Sequence, residues 1–283
     1  GREVAYRLDR PRHLPGVSLS PEGLRQLALC RAFMLHLLPE NMRDMVDVTL
    51  QHAAAYLPEG ASSCAMEEMG QAQTKGVIDY SPFQESLQTL MDAIRLKQVC
   101  EVRYRPSLNG EVKRHFFAPM KIVAYHEALY ARGRLVSEKG RAEALFPSST
   151  SLAVHRMTEV RMTRRSSAHI PDAPDEGEGC FGLMGDEPFT VRVRFAPSAA
   201  TYAAERSWSR DQRLTWHRDG GVTLTMTARS AAEVIAWVMS FAETAEILSP
   251  AWLREEVAAR VRAMSGMYER TPKTARKKRE EKA

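Results

Sequence analysis

The pattern of apolar and polar residues changes its period along the chain. Over residues 20–57, and again over 81–94, apolar residues recur every three or four positions, which is the period of an amphipathic helix. Ser20-Pro21 places a hydroxyl cap and a proline at the start of the first stretch, and Ser81-Pro82-Phe83-Gln84 has the pattern of a capping box. The sequence therefore predicts two helices within 20–57 and a third that begins at Ser81.

From residue 98 the period falls to two, which is typical of strands with one buried face. The predicted strands are 100–105, 115–124, 128–136, 144–146 and 151–162. Asn109-Gly110 follows the first strand and predicts a turn, because both residues tolerate positive φ angles. Five short strands without crossover helices predict a small antiparallel barrel.

A second region that mixes strands and helices begins near residue 189. Its predicted strands are 190–195, 214–217 and 222–228, and its helices cover 197–206, begin at Ser230 and begin again at Ser249-Pro250. The predicted fold class is α+β: a helical linker, a small antiparallel β-barrel and a C-terminal α/β sandwich-like domain. The predicted boundaries are 1–19, 20–80, 81–168, an acidic linker at 169–188, 189–268, and a disordered basic tail at 269–283.

The composition is that of a soluble globular protein, because 44% of the 283 residues are hydrophobic and the net charge is +5. No run of about 18 apolar residues is present, so no transmembrane helix is predicted. The four cysteines form no CxxC pair, and we interpret them as reduced thiols of a cytoplasmic protein. The charge is uneven: residues 81–168 hold 15 basic and 8 acidic side chains, which indicates an anionic partner for the barrel.

Motifs for catalysis are missing from the sequence. It contains no HExxH, GxSxG or P-loop lysine pattern. The GxGxxG match at 177–182 lies in the acidic linker and not between a strand and a helix, so we do not interpret it as a nucleotide site. We therefore predict no catalytic residue, no metal site, no cofactor and no enzymatic activity.

The candidate chemistry lies on the predicted strand 128–136. Tyr130, Arg132 and Arg134 share one face of it, and an aromatic ring beside arginines can stack on a base and pair with phosphates. The other interpretation, which we weight equally, is a solvated outer face with arginines paired to Glu101, Glu111 and Glu127. The predicted ligand-binding residues are Tyr130, Arg132, Arg156, Arg103, Arg114 and His155.

Several segments are similar to the WYL-domain transcriptional regulators of bacteria. They are Val102-Arg103-Tyr104, Phe117-Ala118-Pro119, Leu129-Tyr130-Ala131 at the place of the Trp-Tyr-Leu triplet, and 152–157, which is similar to a Phe-x-Leu-x-Arg-Ile segment. Tyr130 and Arg156 match the family motifs directly, whereas Leu129 and Ala131 replace Trp and Leu, and Thr150 stands where an arginine is usual. Residues 82–162 resemble the WYL domain, an Sm-like barrel preceded by a helix, and 189–265 resemble the WCX-type C-terminal extension.

The resemblance implies a cytoplasmic, DNA-binding transcription regulator that is usually a homodimer. Residues 1–19 resemble the remnant of a winged-helix wing, with Arg2, Tyr6 and Arg7 as DNA contacts and the recognition helix upstream. The WYL barrel is expected to sense an anionic effector, either a nucleotide or a single-stranded nucleic acid, and some relatives serve phage defence. The expected partners are duplex DNA, this effector and a second copy, with no membrane. The alternative is a nucleic-acid-binding accessory protein without sequence specificity.

Overall fold

The computed structural model describes residues 20–57, 70–107, 110–171, 179–182 and 187–269. It divides the chain into two compact units, Gly1–Asp172 and Ala173–Ala283. The predicted wing strand, most of the acidic linker and the basic tail lie outside the described residues. The α+β fold class is confirmed, with helices at the start of the first unit and one antiparallel sheet in each unit.

The described part of the first unit holds three α-helices. They are α1 (Pro21–Met34), α2 (Glu40–Ala55) and α3 (Gln84–Leu96). The predicted cap of α1 is confirmed, because Ser20 Oγ accepts a hydrogen bond of 3.0 Å from the Gly23 N–H. The predicted cap at Ser81 is wrong: Ser81–Phe83 forms a 3₁₀ turn, and α3 begins after it without a side-chain cap. The Ser81 N–H instead donates to Asp79, which directs the chain into that turn.

Five antiparallel strands form the sheet of the first unit. They are β1 (Gln98–Tyr104), β2 (Lys113–Tyr125), β3 (Ala128–Val136), β4 (Thr150–Ala153) and β5 (Met157–Ser166), in the order β4-β3-β2-β1-β5. The strand predicted at 144–146 is reduced to a single bridge between Val136 and Ala144. The strand predicted at 151–162 is divided by a 3₁₀ turn, Val154–Arg156, which we call the corner.

The corner shows that the sheet is a barrel. β4 and β5 lie at opposite edges of the sheet, yet only the three residues of the corner connect them. A connection of this length spans at most about 14 Å, so the sheet curls until the ends of its two edge strands lie within that distance. Buried residues of the strands fill the interior, and Leu87, Leu90 and Ala93 of α3 pack against them.

Gly133 lies where β2 and β3 approach each other closely. It pairs with Pro119 next to a register shift in β2. A Cβ atom at Gly133 would lie 2.1 Å from the Ala118 carbonyl oxygen. Only glycine therefore fits at this point of β3.

The second unit has a four-stranded antiparallel sheet with helices. Its elements are β6 (Phe189–Phe195), α4 (Pro197–Ala204), β7 (Arg213–Trp216), β8 (Val222–Ala228), α5 (Ala231–Met239), β9 (Ala245–Ser249) and α6 (Ala251–Glu269). The strand order is β7-β8-β6-β9, and the sequence pattern did not predict β9. The cap of α5 is confirmed, because Ser230 Oγ accepts from the Glu233 N–H at 3.3 Å.

Candidate functional site

A cleft of about 590 Å³ opens in the first unit where the 3₁₀ turn before α3, the end of β1 and the corner meet. Phe83 and Met157 give it an apolar wall. Its polar lining consists of Ser86, Arg105, Ser107, His155, Arg156 and Thr158. The described residues that line the cleft include no carboxylate, so two guanidinium groups set its charge.

Backbone hydrogen bonds hold the two arginines of the cleft side by side. Arg105 directly follows β1, and its N–H donates to the carbonyl of Arg156 in the corner at 2.9 Å. Arg156 Nη1 then donates to the carbonyl of Pro106 at 3.0 Å. Both side chains remain exposed, and their remaining N–H groups are available to an anion that enters the cleft. The division of the predicted last strand at the corner is what brings Arg156 to Arg105.

His155 is the half-buried neighbour of these arginines. Burial lowers the pKa of its imidazole, and the charge of Arg156 lowers it further, so the ring is neutral at pH 7. Its Nδ1 atom is buried and has no hydrogen-bond partner in the described part of the chain. A buried nitrogen without a partner is uncommon in a folded protein, which makes His155 an unusual residue of the cleft lining.

Tyr80 connects His155 to strand β3 and was not predicted. The His155 ring meets the Tyr80 ring edge-on, with centroids 6.4 Å apart. Tyr80 is 1% exposed, and its hydroxyl oxygen accepts a hydrogen bond of 2.6 Å from the Leu129 N–H. Burial raises the pKa of this phenol, and the neighbouring Tyr130 also raises it, so Tyr80 stays protonated. The available signal was an aromatic residue directly before a helix start, where side chains often pack onto the helix.

Tyr130 and Arg132 lie on the face of β3 opposite the barrel core, as predicted, and do not line the cleft. Tyr130 pairs with Val123 on β2 and Ala153 on β4. Arg132 Nε donates to Ser149 Oγ at 3.0 Å. Arg134, on the same face, is 7% exposed and donates to the Phe146 carbonyl at 2.6 Å, which makes it a structural residue.

Arg103 and Arg114 are paired to carboxylates on the outer face of the barrel. They oppose each other on β1 and β2. Arg103 Nε lies 3.2 Å from Glu159, and Arg114 pairs with Glu138 and, at 3.7 Å, with Glu101. The solvated-face interpretation thus accounts for both arginines. Glu127, which this interpretation pairs with an arginine, has a different partner, because its Oε2 atom lies 2.7 Å from His36 Nε2.

The remaining predictions concern DNA contacts, a metal site and a membrane span. Arg2, Tyr6 and Arg7 lie outside the described residues. The described ranges hold no group of three or more side chains that could ligate a metal ion. None of the helices in these ranges is long and apolar enough to cross a membrane.

Two family models match the chain. The model of the WYL domain matches residues 85–162, and the model of the WCX domain matches residues 187–265. A search of curated proteins found no match.

Solved structures also match the chain. One is the Proteasome accessory factor B/C (PafBC) of Arthrobacter aurescens, with 17% identity and a TM-score of 0.33, covering 89% of this chain and 37% of that one. Another is a CRISPR Cas-related protein, with 11% identity and a TM-score of 0.44, covering 88% of this chain and 81% of that one. The chain thus spans little more than a third of the PafBC chain.

Proposed function

We propose that the chain is a nucleic-acid-binding regulator whose barrel binds an anionic effector. The premise is that it is a WYL-domain protein, in which a WCX domain follows the WYL domain in sequence. The WYL and WCX domains confirm the family resemblance that the sequence segments indicated. The observation that carries the proposal is the cleft, where Arg105 and Arg156 lie together beside the neutral ring of His155 and no described lining residue is a carboxylate.

The chemistry of the cleft suits a nucleotide or the end of a single strand. Two adjacent guanidinium groups bind phosphate oxygens with paired, charge-assisted hydrogen bonds. The hydroxyl groups of Ser86 and Ser107 are further donors, whereas the Thr158 hydroxyl already donates to the Arg103 carbonyl at 3.3 Å. Phe83 offers an apolar surface to a base. A volume of about 590 Å³ is of the size that small-molecule sites have.

The finer parts of the proposal concern regulation. A winged helix upstream of the described residues contacts duplex DNA, two copies form a homodimer in the cytoplasm, and the effector favours one dimer geometry over another. The effector changes promoter binding only by the ratio of its affinities for the two geometries. No catalytic turnover is assigned to the chain, and a role in phage defence stays a prediction from the family.

We test the cleft by replacing both of its arginines, Arg105→Ala with Arg156→Ala. Binding of a labelled oligonucleotide and of nucleoside monophosphates is measured by fluorescence anisotropy and calorimetry. We expect at least a tenfold loss of affinity, because each hydrogen bond from a charged group contributes about 1.5–3 kcal/mol. The matched control is Arg103→Ala with Arg114→Ala on the outer face of the barrel, which should leave binding within about twofold because both arginines are already ion-paired.

Two outcomes would contradict the proposal. If the cleft variant and the wild type bind every probe with equal affinity, the cleft is not the effector site. Equal binding of the protein to all duplex fragments in a promoter-shift experiment, with and without these probes, would favour the accessory protein without sequence specificity.

A further inference from the structure

The described helices of the second unit leave one face of its sheet uncovered. Val191, Val193 and Phe195 of β6 point into the core. The buried residues of α4, α5 and α6 belong to this same core, so all three helices pack on the same side. The alternate residues of β6, Arg192 among them, lie on the opposite side, which we call the open face.

A row of hydrogen-bond donors crosses the whole open face. Arg213 of β7 pairs with Thr225 of β8, Thr225 pairs with Arg192 of β6, and Arg192 pairs with Ser249 of β9. Both arginines are exposed, and the hydroxyl of Thr225 lies between them. With strands about 4.8 Å apart, the row is about 14 Å long.

The carboxylates near this row already have partners. Glu246 of β9 pairs with Arg254 at 2.6 Å, and Asp219 pairs with Arg194. Asp211 accepts hydrogen bonds from two neighbouring hydroxyl groups. Arg192 and Arg213, in contrast, form no ion pair with any residue that the structure describes. Two positive charges on the open face are therefore available to an external anion.

We propose that the open face binds the sugar–phosphate backbone of a single-stranded nucleic acid, at a contact surface separate from the barrel cleft. Guanidinium groups and hydroxyls are the usual donors to phosphate oxygens. The residues of the four strands that lie on the open face include no aromatic side chain, so bases do not stack there and the contact is independent of sequence.

The dimensions of the sheet exclude binding within the major groove of a duplex. A row about 14 Å long is wider than the major groove of B-DNA, which is about 12 Å, so the sheet does not enter that groove. A flexible single strand, in contrast, lies along an antiparallel sheet and brings successive phosphates to the row.

The test replaces the two arginines of the row in the full chain, Arg192→Ala with Arg213→Ala. Its probe is a labelled oligothymidylate of about 15 nucleotides, measured by fluorescence anisotropy over a range of salt concentrations. Losing two phosphate contacts should lower the slope of log K against log salt by about 1.4 and weaken binding roughly 25-fold at 0.1 M salt. The matched control, Arg260→Ala with Arg262→Ala on α6, removes equal charge from a helix and should leave the slope unchanged.

A lysine variant separates a charge contact from a folding defect. Arg192→Lys with Arg213→Lys keeps the charge, and we expect it to retain the slope of the wild type. The proposal is overturned if the alanine and lysine variants behave alike, if the alanine variant behaves like the α6 control, or if a duplex of equal length displaces the oligothymidylate at a lower concentration.

The proposals for the barrel cleft and for the open face can be contradicted independently of each other. In the cleft variant, Arg105→Ala with Arg156→Ala, the salt slope that Arg192 and Arg213 contribute should remain. If nucleoside monophosphates still bind the cleft variant while the open-face variant loses the oligothymidylate, the proposed effector site is wrong and the open-face contact stands. If the cleft variant loses nucleoside monophosphates while the open-face variant still binds the oligothymidylate like the wild type, the effector site stands and the open-face contact is wrong.

Discussion

At the residue scale, the candidate site combines exposed charges with buried groups that hold them in place. Arg105 and Arg156 reach into the cleft, while Tyr80 and His155 lie beneath them and connect the cleft to β3. Arg156 and His155 were predictable from a motif and its neighbour. Tyr80 was not predictable as their partner, because 75 residues separate it from His155 and only the closed barrel brings the rings together.

The close contact at Gly133 predicts that a substitution there destabilises the barrel. Gly133→Ala should lower the free energy of unfolding by about 1–3 kcal/mol, because the new methyl group must displace the Ala118 carbonyl. The matched control is Gly76→Ala, where a Cβ atom would meet nothing within 4 Å, and it should change stability by less than about 1 kcal/mol. Denaturant unfolding measures both variants, and equal stability of the two would show that β2 and β3 do not approach so closely.

The neutral state of His155 predicts a dependence of stability on pH. Its pKa is lower in the folded chain than in the unfolded chain, so the unfolded state binds more protons as the pH falls. Stability from this residue is therefore complete above the unfolded pKa of about 6.5 and is lost below it. His155→Gln should flatten the curve of unfolding free energy between pH 7 and 5.5. An unchanged curve would mean that His155 is not held neutral.

At the element scale, the sequence pattern predicted most strands but not the turn that connects β4 to β5. Strand β3 has the predicted bounds, because a long alternation with one buried face leaves little choice of register. Two polar residues in succession, His155-Arg156, interrupt the apolar alternation of 151–162, but no glycine or proline marks a turn there, so the pattern alone does not show the corner. Closure of the barrel imposes that turn, and closure is a property of all five strands together.

Strand β9 was missed for a related reason. It has only five residues, and two of its inward positions are Ala245 and Ile247, a pattern too short to distinguish from the helices around it. Pairing with β6 defines it as a strand, with Ile247 opposite Val193. The open face therefore became visible only when the register of all four strands was known.

At the scale of the whole molecule, each unit has a hydrophobic core of its own. We predict that residues 179–269 expressed alone fold cooperatively, because their core draws on every helix and strand of that unit. Thermal denaturation followed by circular dichroism, together with dispersed amide signals in an NMR spectrum, would show this. A gradual transition and collapsed amide signals would mean that the second unit needs the first.

The hydrogen bond between Tyr80 and the Leu129 N–H has a consequence for the rate of unfolding. It joins groups 49 positions apart in sequence, and such contacts form only after a long loop has closed. A contact that forms after the transition state for folding slows unfolding and has little effect on the folding rate. We therefore expect this hydrogen bond to slow the opening of the barrel more than it speeds its closure.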